Sequence, residues 1–298
     1  GTLTLNHNNQ DFSGNIIVEQ GKLSVASAQA LGTGSSLEFK ADTGLQATDT
    51  LTLNKEIKLS QSGTAVSLDV AQNKSLTIDN TISGVGSLVK DGVGSLLLTK
   101  TNTYAGDTKV NAGQVIVDDD NALSTGKVTF SNGTELALGS SKGVAINNTL
   151  QLDGNVAIHS GSFNSTVSHI SGTGGFTKDG SGQLTLSQNN SYSGTTTIQE
   201  GKVAIAANQA FGTGQVVFKQ NTLIGGRATG YSYLFYNCCS CDVSICSLFT
   251  LFIWHVYVLH TVPEEADVNN MMKLLSLTRS PIGYELLLSL ISLYYYYY

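Results

Sequence analysis

The chain has 298 residues, 32 of them glycine and only two proline, and its net charge is −6. Charged residues make up 13%, about half the usual roughly 25%, and no Lys/Arg run occurs, which argues against a nucleic-acid partner. The length suffices for one or two packed units. A regular alternation of Leu, Val and Ile argues against the disorder that so much Gly, Ser, Thr and Asn would otherwise suggest.

In chain order, the first element is GTLTLNHNNQDFSGNIIVEQGKLSVASAQALGTGSSLEF, residues 1–39. Leu3/Leu5 alternate as in a strand with one buried face, and Ala26–Ala30 has small residues suited to a single helical turn. Residues 53–59 read LNKEIKL and resemble residues 146–152, INNTLQL. Between them lies residues 84–130, GVGSLVKDGVGSLLLTKTNTYAGDTKVNAGQVIVDDDNALSTGKVTF. Residues 172–218 repeat it without a gap, 88 positions on: Gly84 matches Gly172, Lys90 matches Lys178, and Tyr104 matches Tyr192. The first element is a further, partial copy with one extra residue before Phe12, which stands where the others have tyrosine. Each copy holds short period-two runs such as Val115/Val117, Leu184/Leu186 and Val203/Ile205. They recur every 8–12 residues or so between Gly, Asn, Asp and Ser turns.

A long gapless repeat of short strands fits a solenoid, in which each coil stacks only on its neighbours. A β-sandwich would need paired sheets within each unit and a more aromatic core. Asn at the turns can then hydrogen-bond from coil to coil.

After about residue 225 the repeat stops. All four cysteines (Cys238, Cys239, Cys241, Cys246), both prolines, both arginines, both methionines and the one tryptophan come later, and Tyr294–Tyr298 ends the sequence. Val243–Leu259 is a 17-residue apolar run, at the lower edge for a membrane span. The organisation expected is therefore a repeat segment over 1–225, with copies at 1–39, 84–130 and 172–218, and an aberrant tail over 226–298. The abrupt change in residue usage reads as a frameshift product, with a membrane segment as the other reading.

The pattern G-x-G-x-L/F-x-K-x-G-x-G-x-L-x-L…N-x-Y-x-G-x-T…G-x-V-x-V strongly resembles the autotransporter-associated β-strand repeat of type V secretion passengers. It is carried by Gly84, Gly86, Lys90, Gly92, Gly94, Tyr104, Gly106 and Gly113. The third copy carries Gly172, Gly174, Lys178, Gly180, Gly182, Tyr192, Gly194 and Gly201. The resemblance implies a right-handed, single-stranded parallel β-helix exported to the surface of a Gram-negative bacterium. It also implies an adhesive or structural role, with host-surface or glycan ligands as partners. The family's signal peptide and outer-membrane β-barrel are not evident in this sequence. Membrane association is therefore expected only through such a barrel or through Val243–Leu259. The lack of cysteine before 238 suits a chain that crosses an oxidising periplasm unfolded.

Candidate chemistry is sparse, and the expectation is no catalysis, no metal and no cofactor. Asp118-Asp119-Asp120 offers oxygen ligands for a hard cation, but the third copy lacks them, so a solvated turn is the preferred reading. His159 and His169 lie ten residues apart without partners at a catalytic spacing. Lys90-Asp91-Gly92 and Lys178-Asp179-Gly180 read as charged turn tips. Tyr104 and Tyr192 read as packing residues, with an exposed glycan-binding stripe as the alternative. A polysaccharide-active β-helix enzyme would need carboxylates or basic residues clustered on one face, and the carboxylates here are scattered.

Overall fold

The computed structural model describes residues 1–219, 222–228 and 231–237. The expected tail readings, including the membrane segment Val243–Leu259 and the cysteine cluster, lie outside the described residues.

The chain winds into a parallel β-solenoid of about eleven turns. Among the described residues, every strand pair is parallel except that of Thr222–Ala228 with Tyr231–Asn237. Three sheets, of thirteen, nine and four strands among the described residues, form three faces, which the chain visits in a fixed order. Leu51–Leu53 lies on the second face, Glu56–Leu59 on the third, Ala65–Val70 on the first, and Ser75–Ile78 on the second again. A coil takes 19 to 25 residues, as in Leu184↔Val203 and Leu51↔Leu76.

Period-two sequence becomes period-two burial. Ser95–Leu98 buries Leu96 and Leu98, and Gln114–Val117 buries Val115 and Val117. Parallel stacking places like on like, so Leu76, Leu96, Val115, Leu136 and Ile158 form one unbroken interior column. Each such side chain contributes about 1.5–3 kcal/mol by leaving water. The single turn expected near Ala26–Ala30 is a short 3-10 helix, Ala28–Leu31.

The sequence repeat and the coil do not coincide. From Leu88 on the first face, four coils lead through Thr108, Val128 and Leu150 to Ile170. Six more residues reach Phe176, the counterpart of Leu88, which sits on the second face against Val156. From Leu3, four coils lead through Leu23, Leu45 and Leu68 to Lys90, and six more residues reach Leu96, the counterpart of Leu3. One repeat is therefore four coils plus one face. The long strands Ala145–Leu152 and Ser165–Gly172 help turn this corner, with a register shift between Ile146 and Thr149. The strand of Leu88 in one copy thus lies on the first face, and its counterpart with Phe176 lies on the second.

Candidate functional site: the stacked repeat motif

The motif lysines are interior residues and not charged turn tips. Lys90 and Lys178 are both fully buried. Lys90 holds an inward position between Leu68 and Val110, and Lys178 one between Ile158 and Ile198. Each aliphatic stem continues a core column, while the ammonium reaches the corner after its strand. Lys90 Nζ donates to the carbonyl oxygens of Asp91 (2.8 Å), Gly92 (2.7 Å) and Ala112 (3.2 Å). Lys178 Nζ donates likewise to Asp179, Gly180 and Glu200. Two of the acceptors lie in the lysine's own turn and the third in the next coil, so each ammonium ties two coils together. The following Asp-Gly does form the turn, with Gly92 at φ 72° and Gly180 at φ 80°. Burial pushes both ammonium groups down to about 8, against the pull of Asp69 and Asp91 on Lys90 and of Asp179 and Glu200 on Lys178.

The tyrosines are also internal. Tyr104 and Tyr192 have no exposed surface, which removes the exposed-stripe alternative. Each hydroxyl is 2.5 Å from a buried threonine Oγ1, that of Thr108 or Thr196. Phe176 meets Tyr192 edge-on, with ring centroids 5.6 Å apart. The loop carrying each tyrosine replaces a strand, and a buried asparagine supplies the missing pairing. Asn102 Oδ1 accepts from Ile82 N (2.6 Å), and its Nδ2 donates to Ala122 O (2.5 Å). Asn190 does the same between Ile170 N and Ala210 O. One side chain thereby bridges the coils above and below.

The twelve motif glycines have one physical reason in common. A Cβ built on Gly84, Gly86, Gly92, Gly94, Gly106, Gly113 or their counterparts Gly172, Gly174, Gly180, Gly182, Gly194 and Gly201 would lie no more than 3.0 Å from an atom of the preceding coil. The corners stack too closely for any side chain.

The other candidates separate. His159 sits on the second face and His169 on the first, so they form no pair. His159 lies between two carboxylates, Nδ1 at 2.5 Å from Asp179 Oδ1 and Nε2 at 3.3 Å from Glu135 Oε2. The Nδ1 contact is a hydrogen bond, whereas Nε2 is buried without a hydrogen-bond partner. His169 Nδ1 meets Asn189 O at 2.9 Å. The three aspartates serve turns: Asp118 accepts from the 140–141 backbone, Asp119 from Thr101 Oγ1 and Asn121 N, and Asp120 from Ala145 N. Among the described residues no cluster of three or more His, Cys, Asp or Glu is placed to hold a metal ion. Nor is any helix there long and apolar enough to cross a membrane.

The pattern of caged lysine, buried Asn-x-Tyr and closely stacked glycine matches a known family model over residues 1–25, 88–117 and 176–205. These three segments match the passenger-associated-transport repeat. The chain's similarity to curated proteins runs the same way. It is 36% identical over 156 residues to the adhesin BmaC autotransporter of Brucella suis biovar 1 (strain 1330), covering 51% of this chain. It is 29% identical over 164 residues to the probable autotransporter YfaL of Escherichia coli (strain K12), covering 43% of this chain. The chain spans only 4% and 12% of these two proteins. No solved structure matches it. In the passenger-associated-transport repeat as folded here, the most regular residues all face inward or line corners. They are fold-making residues, and the sequence offers their 88-residue spacing as the signal. Asn102, Asn190, Thr108 and Thr196 share that spacing, and it would have marked them as interior partners. The Glu135, His159 and Asp179 cluster has no such signal, because its members lie on neighbouring strands that only the coil stacking brings together.

Proposed function

We propose that this chain is a non-catalytic, adhesive or structural section of a surface-exposed autotransporter passenger. The observation that carries this reading is the passenger-associated-transport repeat folded as a continuous solenoid. Its motif side chains bind coil to coil and leave the three outer faces to vary. A rod of stacked coils suits holding or presenting contacts at a distance from a cell, because each coil adds length without altering its neighbours. The name of the Brucella relative, an adhesin, supports adhesion over a purely spacing role, with a host-surface component or glycan as ligand.

The reading is tested by coating beads with the purified chain and measuring retention on glycan arrays and on immobilised extracellular matrix. Saturable retention, competed by free chain, is the result expected. Absence of retention, together with turnover of acidic or neutral polysaccharide that is lost when a carboxylate pair is neutralised, would replace it with an enzymatic reading.

A further inference from the structure

Asn132-Gly133 is the one Asn-Gly pair in the sequence. It forms the corner between Val128–Phe130 on the first face and Glu135–Leu138 on the second. Both residues are exposed. Gly133 has φ 76°, and a Cβ there would meet nothing within 4 Å, so this corner is open to water where the motif corners are packed. One residue of the next coil holds it. Asn155 N donates to Asn132 Oδ1 at 2.9 Å, and Gly133 N donates to Asn155 O at 2.8 Å. Gly154 packs against the asparagine so closely that a Cβ on it would stand 2.4 Å from Asn132 Cβ.

An asparagine followed by glycine can lose its side-chain amide without an enzyme. The glycine nitrogen, here that of Gly133, gives its proton to a base and attacks Cγ of Asn132. A C–N bond forms, the Cγ–Nδ2 bond breaks, and the nitrogen takes a proton and leaves as ammonia. Water then opens the cyclic imide at either carbonyl, giving aspartate or isoaspartate. Glycine favours the attack because no side chain shields its nitrogen. In this corner the proton that must leave is held by Asn155 O, and the carbonyl to be attacked is held by Asn155 N.

We propose that Asn132 is a deamidation site gated by Asn155, reacting only when its corner parts from the next coil. The opening that frees Gly133 N for attack is the one that frees its amide for hydrogen exchange. The two products differ in what they restore. Aspartate keeps an acceptor oxygen in place, and a carboxylate accepts an amide more strongly than a neutral oxygen does. The solenoid already uses aspartate in this way: Asp107 Oδ1 accepts from Lys127 N, and Asp120 Oδ1 from Ala145 N, each donor lying in the next coil. Isoaspartate routes the main chain through Cβ and Cγ, which lengthens the corner and displaces Gly133 N from Asn155 O. Aspartate therefore reseals the corner, and isoaspartate leaves it open.

The test incubates the whole chain and a synthetic peptide of residues 128–137, VTFSNGTELA, at mildly alkaline pH, and maps amide-to-acid mass shifts after digestion. Asn132 should react first among the described asparagines. Its reaction in the chain should be at least about tenfold slower than in the peptide, by the same factor that protects Gly133 N from hydrogen exchange. Gly154→Ala pushes the Asn132 side chain away from Asn155 N and should bring the rate toward that of the peptide. Asn132→Asp should keep the parent's urea midpoint, whereas chains bearing isoaspartate, detected with an isoaspartyl methyltransferase, should exchange faster at Gly133. Equal rates in chain and peptide, a rate that does not follow Gly133 exchange as urea is raised, or earlier reaction at another described asparagine would overturn the proposal.

Discussion

A lysine in the interior is costly unless its charge is fully hydrogen-bonded, and Lys90 and Lys178 meet that condition with backbone carbonyls alone. Replacing Lys90 with Met keeps the stem and leaves three carbonyl oxygens without this donor. The expected loss is about 1–3 kcal/mol at pH 7, read as a lower urea midpoint. The pH dependence has a definite sign. With the folded ammonium pushed down to about 8 and the unfolded one near 10.4, the unfolded chain holds more protons between these values. Stability therefore rises with pH across that window, by about 1–3 kcal/mol per lysine between pH 8 and 10. Burial raises the phenols of Tyr104 and Tyr192, so above about pH 10 the unfolded tyrosines ionise first and stability falls again. Urea midpoints from pH 7 to 11 should pass through a maximum near 10, and the double variant Lys90→Met/Lys178→Met should lose the rising limb. These lysines were misread from sequence because Lys-Asp-Gly is ordinary turn chemistry. Only the parallel register, which puts Lys90 in line with Leu68 and Val110, shows that its stem points inward.

At the scale of elements, strands and strand-replacing loops are stabilised differently. A strand such as Gln114–Val117 has ladder bonds on both edges, so no single side chain decides its pairing. The loop at 187–195 makes scattered backbone bonds to both neighbouring coils, and the side chain of Asn190, buried to 4% exposure, adds one bond to each. Asn190→Ala should cost about 2–4 kcal/mol, because it strands a buried amide and a buried carbonyl together. In hydrogen exchange the Ile170 amide should open well before those of Gln183–Leu186. Gly172→Ala belongs beside it: the position has φ 107° and a Cβ would stand 2.3 Å from Leu152 O, so the corner must open and the expected loss is about 2–4 kcal/mol. The strands were legible from period-two runs, and the glycine corners from their recurrence. The loop's asparagine was legible only as a general tendency toward turn ladders. Its two bonds depend on the partners Ile170 and Ala210, and each lies twenty residues away in sequence.

For the whole molecule, the unit of stability is the coil and not the sequence repeat. In a stack whose coils touch only their neighbours, free energy is close to a sum of coil and interface terms, so one whole coil should be removable. Val128 pairs in register with Leu150, 22 residues on. Deleting Val128–Thr149 therefore joins Lys127 to Leu150 and lets Leu150 take Val128's place above Thr108. Ala157–His159 then falls where Glu135–Ala137 stood, and no motif lysine, tyrosine or glycine is lost. That variant should keep the far-ultraviolet signature of β-structure and a cooperative urea transition. Deleting Val128–Leu138 instead removes two faces and leaves half a coil, so every following strand lands on the wrong face and its buried column turns to solvent. This shorter deletion should be the more damaging, with loss of the cooperative transition. Equal damage from both would mean that the three copies act as indivisible units. The geometry argues otherwise, because a repeat of four coils plus one face cannot be the period of a stack that closes every 19 to 25 residues.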